Sequence, residues 1–413
     1  MPPADILILA NGAGEVSTWV RPVVRELRRQ YGEDRRQLRI SLVLIPDANA
    51  SGQEVAVARR FPEIDRIQAA RHFWPFLLRG RTAERWDWRS KGVVVFLGGD
   101  QLFAVLAAKR LGYRCVLYAE WQARWLRWVD AVGAMNERVG ARLAPRWRAK
   151  LRVVGDLMTD AAETAGAVET TSDWVGLMPG SKPNKLRMGV PFVLAIADAI
   201  ARRRAGTNFL IPLAPTLEPA DLLRWADPQR NPVAPLMGRT TATLERDAQG
   251  QPQLQTSGGV TIPVVTEFPA YDAIRRCRLC LTTIGANTAE LGALGMPMIV
   301  LLPTQHWESM DAWDGLLGLI CRLPGLGRLI RRWVNRWMVK RVGLLAWPNI
   351  WAGEAIVPEL MGPLSAEAVA ERVIDYLDHP AKLEQMRDRL RAARGEPGAA
   401  ARFARLIGDQ LTL

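Results

Sequence analysis

Three junctions in this 413-residue chain place glycines, hydroxyls and charges where an apolar run gives way to a helix-period segment. Residues 11–17 (NGAGEVS) form the first. Gly12 and Gly14 permit a tight turn and a close backbone approach, and the following helix offers unpaired N–H groups to an anion or a sugar hydroxyl. Ser17 stands where a dinucleotide-binding G-x-G-x-x-G needs its third glycine, so an ordinary strand-to-helix turn accounts for this loop equally well. Residues 178–185 (MPGSKPNK) form the second: the turn at Gly180 and Ser181, with Lys182 and a further lysine behind it, gathers backbone donors, a hydroxyl and positive charge suited to a diphosphate. Two merely solvated lysines are the plainer alternative. In the third, residues 281–297 (LTTIGANTAELGALGMP), Gly285 admits a ligand to the backbone and Asn287 or Thr288 can cap the helix that begins there. Glu290, expected in the first turn, can accept paired hydrogen bonds from a ribose diol or simply complement the helix dipole.

Loops of this kind need strands behind them. Apolar runs at 6–10, 40–45, 93–97 and 115–118 predict strands buried on both faces, with 151–154 closing the set and helices over 20–30 and 102–111 between them. A small, polar stretch at 161–172 suits a linker. The alternation restarts beyond it, with strands at 174–178, 208–213, 264–266, 279–283 and 298–302 and helices at 190–204 and 288–294. Residues 215–263 weaken into a surface excursion rich in Pro, Gly and Gln, and the tail from Ser365 is charged and helix-periodic. The rhythm predicts an α/β fold of two Rossmann-like domains facing a central cleft, over 1–160 and 173–360, followed by C-terminal helices over 361–413.

Composition narrows the class. The chain holds 55 Lys and Arg against 42 Asp and Glu, a net charge of +13, and its 16 tryptophans outnumber Tyr and Phe together. Residues 1–155 contain 27 basic and 15 acidic side chains, so nearly all the excess lies in the first domain. Its length and apolar content exclude disorder and small disulfide scaffolds. Four scattered cysteines and three scattered histidines supply neither a disulfide framework nor a metal site, so no metal is expected and a reducing compartment is favoured. The start lacks the basic region of a secretory signal, and no apolar stretch reaches the length of a spanning helix.

The stretch 281–301 resembles the nucleotide-binding segment of lipid-A-disaccharide synthase and related GT-B glycosyltransferases, whose pattern is Ser-Gly-Thr-Ala, then a Glu, closing on Pro-Met-Val. The LMPGSK of 177–182 is similar to that family's Leu-Pro-Gly-Ser-Arg diphosphate loop, and WPNIWAG at 347–353 with Pro358-Glu359-Leu360 resembles its Leu-Pro-Asn-Leu-Leu-Ala-Gly region. Gly14-Glu15-Val16-Ser17 matches its Gly-Glu-x-Ser. The departures are Thr18-Trp19 for Gly-Asp, Lys182 for Arg and Gly155-Asp156 for Gly-His. Lysine keeps the charge but loses the planar two-point contact. The donor half is thus closer to the family than the acceptor half.

The resemblance implies a GT-B fold and inverting transfer of a sugar from a UDP-sugar to a hydroxyl, with no cofactor beyond that donor substrate. Such transfer needs a general base and a positive environment for the departing diphosphate. Asp100, in FLGGDQ after a buried strand, is the first candidate base; capping the helix from Leu102 is its plainer role. Glu15 is the second candidate and Asp156 a distant third. Gly12, Gly14 and Ser17 would form an acceptor-side loop, and Gly180, Ser181, Lys182, Gly285, Asn287, Thr288 and Glu290 would bind the nucleotide sugar.

Residues 315–353 contain seven basic side chains and no acidic one. There Arg328, Arg331, Arg332, Trp333, Arg336 and Trp337 predict a basic amphipathic helix suited to an anionic membrane surface, or packed on the protein itself or on a homodimer partner. Two further Arg- and Trp-rich stretches, 72–91 and 121–128, lie on the acceptor side. Nucleic acid is not expected, because no recognised nucleic-acid-binding signature accompanies these clusters. The expectation is a cytoplasmic enzyme held peripherally at the inner or plasma membrane and acting on a lipid or lipid-linked acceptor. Alternatives are a non-catalytic sugar-nucleotide or lipid-binding protein and a nucleotide-sugar 2-epimerase.

Overall fold

The computed structural model describes residues 2–47, 52–141, 143–163, 173–304 and 343–412. Arg328, Arg331, Arg332, Trp333, Arg336 and Trp337, predicted to bind membrane, lie outside the described residues. The chain forms two compact units, Met1–Thr164 with Gly395–Leu413, and Ala165–Arg394.

The first unit is built on seven strands: β1 Ala4–Ala10, β2 Leu38–Leu44, β3 Arg66–Gln68, β4 Gly92–Phe96, β5 Arg114–Ala119, β6 Ala131–Ala134 and β7 Leu151–Val153. They pair in parallel in the order β3-β2-β1-β4-β5-β6-β7. β1 and β4 are buried along their whole length, which is why they read as unbroken apolar runs. The order reverses between β1 and β4, so a crevice for ligands is expected at the carboxyl ends of these two strands. β3 and β6, with three and four residues, are too short to show a period in the sequence.

At the opposite, amino ends of these strands much of the Arg- and Trp-rich stretch 72–91 turns out to be internal scaffolding. Fully buried Asp5 accepts from Arg39, from the Arg89 backbone and from the Tyr113 hydroxyl. Arg66 stacks on Trp86 and Trp88, 4.7 and 5.0 Å from their ring centres, and Arg89 donates to four backbone carbonyls. These side chains are committed to one another, which removes half of that stretch from any outward-facing surface.

The second unit carries β8 Trp174–Met178, β9 Asn208–Pro212, β10 Ala242–Arg246, β11 Pro252–Thr256, β12 Thr261–Val265, β13 Cys277–Thr283, β14 Met298–Pro303 and β15 Glu359–Gly362. Their order is β10-β11-β12-β9-β8-β13-β14-β15, parallel from β12 onward. The predicted surface excursion at 215–263 is corrected here: it opens with the helices Pro219–Ala226 and Ala234–Met237 and continues as an antiparallel β10–β11–β12 extension of the sheet, anchored by fully buried Leu254 and Ile262. The helix Pro183–Arg203 runs under the sheet with Leu186, Val190, Leu194 and Ile200 in the core.

The C-terminal helices do not form a body of their own. Ala366–Asp378, N-capped by the Ser365 hydroxyl, and Pro380–Arg394 belong to the second unit. Ala399–Thr412 returns to the first, burying Phe403, Ile407 and Leu411, with the Phe403 ring 5.7 Å from that of Tyr118 on β5. Among the described residues no helix is long and apolar enough to cross a membrane.

Candidate functional site

In the second unit β8 and β13 lie side by side, pairing Leu177 with Leu281 and Met178 with Thr282, so the loops that leave them are neighbours. The β8 loop turns at Gly180, φ 110°, and the β13 loop at Gly285, φ 131°, backbone conformations that a side chain resists. Lys182 is the N-cap residue of Pro183–Arg203 and Gly285 that of the helix Ala286–Ala293. Between the loops runs Lys185. Its ammonium donates to the Ile284 carbonyl, and a Cβ on Gly285 would stand 2.6 Å from its Nζ, while one on Gly180 would stand 2.7 Å from its Cβ. The two glycines are therefore the clearance that lets this lysine lie across the junction.

Lys185 carries its charge into an unfavourable place. Burial, then the nearby charge of Lys182, pulls its pKa down, and it sits beside two helix N-termini that are themselves positive. An anion at the junction relieves all of these at once. Beside it the Thr283 hydroxyl is buried with no hydrogen-bond partner among the described residues, and a cavity of about 100 Å³ is lined by Lys185, Met188, Phe192, Thr283, Ile284 and Leu301. Ser181 and Lys182 are solvent-exposed, Gly180 half-buried. In the sequence Lys185 counts only as the second lysine of the 178–185 loop, behind Lys182. Its signal is its position, at the third residue of a helix that opens on Pro183 and faces a second glycine turn.

The start of the second helix differs from expectation. Gly285, not Asn287 or Thr288, is its N-cap residue, so the helix begins at Ala286 and Glu290 falls in the second turn, too far in to answer the dipole at the helix end. Thr288 is fully buried; its hydroxyl donates to Gly285 O at 2.9 Å and accepts from Trp347 N at 3.1 Å. Asn287 and Glu290 remain half-buried. Burial raises the Glu290 carboxyl to about 7 against an opposing hydrogen bond from Tyr271.

The 347–353 stretch supports this helix from behind. Trp347–Ala352 packs so closely that a Cβ on Gly292 would meet Pro348 at 2.6 Å. Asn349, fully buried, donates to Val357 O and to Glu359 Oε1 and accepts from the Ile356 and Val357 N–H groups at 2.7–2.9 Å. Glu359 in turn accepts from Leu345 N and Ala346 N. Both motif residues are spent inside the fold.

In the first unit the carboxyl ends of β1, β4 and β5 adjoin one another. After β1 the chain goes straight into a helical turn, Ala13–Glu15, and a π-helical turn, Val16–Val20. The Ser17 hydroxyl is buried and donates to Ala13 O at 2.7 Å, so it faces inward. Gly14 is exposed, and the Glu15 carboxylate folds over Gly12, where a Cβ would meet Oε2 at 2.4 Å. After β4, Asp100 is exposed and one of its oxygens caps Gln101–Leu111 by accepting Leu102 N at 2.8 Å. After β5 comes Glu120, absent from the sequence reading. Burial, then the charge of Asp156, raises it to about 7, with Trp121 opposing and Glu15 adding to the rise. Burial also raises Asp156 to about 6, against a hydrogen bond from Met158 N. A carboxylate two residues beyond a predicted buried strand was the available signal for Glu120.

No family model matches the chain. Its sequence is similar to lipid-A-disaccharide synthases of Geobacter metallireducens, 27% identical over 264 residues that cover 63% of this chain and 55% of that protein, and of Anaeromyxobacter dehalogenans strain 2CP-1, 28% identical over 250 residues, 59% and 51%. The chain is similar to the lipid-A-disaccharide synthases. It spans about half the length of the curated relatives it matches. Its fold matches that of the UDP-GlcNAc 2-epimerase from Neisseria meningitidis bound to UDP-GlcNAc, with a TM-score of 0.53 at 13% identity over 98% of this chain and 100% of that one. A similar match is to the S. aureus MnaA–UDP structure, TM-score 0.55 at 12% identity over 100% and 98%. The fold is of the GT-B type, with a Rossmann-like parallel sheet in each of the two units.

Proposed function

We propose that this protein is a glycosyltransferase that moves a sugar from a UDP-sugar to a lipid or lipid-linked hydroxyl, with inversion, at a cytoplasmic membrane surface. The observation that carries the reading is the paired helix starts joined by Lys185, lying in the segments that resemble the donor site of lipid-A-disaccharide synthases. Lys185 and the helix N-termini at Lys182 and Gly285 would hold the diphosphate and stabilise it as it leaves, supplying positive charge from the chain's own groups. Glu290 would accept the ribose hydroxyls. Thr288 and Asn349 would position the turn without touching the donor. Asp100, with one oxygen free of its cap, would take the proton of the attacking hydroxyl, with Glu15 as the second candidate.

Calorimetry with UDP tests the donor site. Lys185→Met and Glu290→Ala are each expected to weaken UDP binding by about tenfold or more, the loss of one charged hydrogen bond, with the fold intact by circular dichroism. Unchanged affinity in both variants would sink the assignment. A thermal-shift screen of nucleotide sugars followed by mass spectrometry of lipid products then identifies donor and acceptor.

A further inference from the structure

Asn11 is the first residue after β1 and stands three residues ahead of the Gly14-Glu15-Val16-Ser17 stretch that carries the family resemblance. Its side-chain amide is held in one sense. Nδ2 donates to Asp47 Oδ2 at 3.1 Å, and a carboxylate only accepts, so Oδ1 has to face the other way. There it meets Gly98, two residues beyond β4: a Cβ on Gly98 would stand 2.5 Å from Oδ1 and 3.3 Å from Asn11 N. The glycine is the clearance for this oxygen. Yet Oδ1 is buried, and among the described residues nothing donates to it. A buried acceptor left in that state is destabilising unless a donor from outside the chain meets it.

Position and chemistry say which donor. The oxygen lies at the carboxyl ends of β1 and β4, where the strand order reverses and a ligand crevice is expected. The loops on either side of it carry both candidate bases. Glu15 folds its carboxylate over Gly12, the neighbour of Asn11, and Asp100 follows Gly98 by two residues, with one oxygen engaged by Leu102 N and the other outside that cap. These loops therefore present accepting oxygens side by side, and a ligand that satisfies them has to bring donors on adjacent atoms. A ring with neighbouring hydroxyls does so. A lone alcohol does not.

We propose that Asn11 determines acceptor specificity: its Oδ1 accepts a hydrogen bond from one hydroxyl of the acceptor and leaves a neighbouring hydroxyl to Asp100 or Glu15, so the acceptor is a polyol such as a sugar or inositol ring. The reacting hydroxyl rests on the transferase reading; recognition of the polyol by Asn11 does not.

The test titrates the full chain with methyl α-D-glucopyranoside, cyclohexanol and cyclohexylamine by saturation-transfer NMR, with and without UDP. The glucoside alone is expected to bind. Asn11→Ala should weaken it about three- to tenfold, the loss of one neutral hydrogen bond, and Gly98→Ala, whose methyl group displaces the amide oxygen, should do the same. The thermal transition of Asn11→Ala should stay level or rise, because an unpartnered buried acceptor has gone while half-buried Asp47 keeps access to water; a purely structural asparagine would give a fall. Calorimetric UDP affinity should not change in Asn11→Ala, since Asn11 belongs to the first unit. Unchanged glucoside affinity in both variants overturns the proposal, as does equal binding of cyclohexanol. Tighter binding of cyclohexylamine overturns it in favour of a cation. A lowered thermal transition in Asn11→Ala with full glucoside binding by Gly98→Ala makes Asn11 a structural residue and overturns it as well. UDP binding without glucoside binding in the wild type sinks this proposal alone, whereas glucoside binding that depends on Asn11 without UDP binding removes the transferase reading and leaves the polyol site standing.

Discussion

Asp100 caps a helix and is also the first candidate base, and two substitutions separate these duties. Asparagine keeps a side-chain oxygen for Leu102 N, so Asp100→Asn should leave the thermal transition near wild type while transfer falls roughly 100- to 10,000-fold. Asp100→Ala should in addition lose about 1 kcal/mol of stability. Equal activity in wild type and Asp100→Asn would make the residue a cap and nothing more. Glu290 gives a pH signature. Its folded carboxyl, raised to about 7, holds a proton that the unfolded chain releases near its ordinary value of 4.5. Wild-type stability therefore declines as pH rises between those values, and Glu290→Gln should remove that decline, gaining about 3 kcal/mol over wild type at pH 8 in urea unfolding of the second unit. UDP binding by the wild type should tighten over the same range, because a ribose diol wants the carboxylate. At this scale the sequence revealed residue types but not their partners. Glu290 and Gly285 stood out, whereas Lys185 and Glu120 gain significance from neighbours that only folding supplies.

Elements explain why some motif residues never face a ligand. The Trp347–Ala352 helix carries a recognisable signature, yet Asn349 and Glu359 form an internal brace that holds it against Gly292 and hence against the Gly285 turn. Asn349→Ala would orphan the Ile356 and Val357 N–H groups and the Val357 carbonyl, and should cost about 2–4 kcal/mol, read as an earlier urea transition of the second unit. UDP affinity should fall with it. An unchanged transition would show that this brace is dispensable. Long buried strands such as β1 and β4 were legible because an unbroken apolar run of their length has few other uses. Short β3, β6 and β15 were not, since three or four residues carry no period. The β10–β11 hairpin was missed because its residues are polar and its order comes from pairing at a sheet edge.

Across the whole molecule, the excess of positive charge divides into two populations. Arg28, Arg39, Arg66 and Arg89 are consumed by buried ion pairs, stacking and backbone carbonyls at the floor of the first sheet. Arg71, Lys109, Arg124 and Arg127 lie at the surface. Composition located the excess in the first domain but could not sort these groups, since sorting depends on which end of the strands each arginine adjoins. The tail was equally opaque: its helical period was plain, but not which sheet each helix would cover. Removal of residues 395–413 would uncover the pocket of Phe403, Ile407 and Leu411, each contributing about 2 kcal/mol. The shortened chain should lose the first unit's calorimetric transition and keep the second's, and two intact transitions would contradict this.

That returning helix also sets a schedule. The chain departs from the first unit near residue 164 and rejoins it at 395, so all of the second unit leaves the ribosome before the first sheet can be sealed. The N-terminal unit must wait, partly open, while its successor folds ahead of it, a reversal of the usual vectorial order. A ribosome stalled anywhere within the second unit therefore leaves behind a first sheet whose seven strands are complete but whose Tyr118 lacks the covering ring of Phe403.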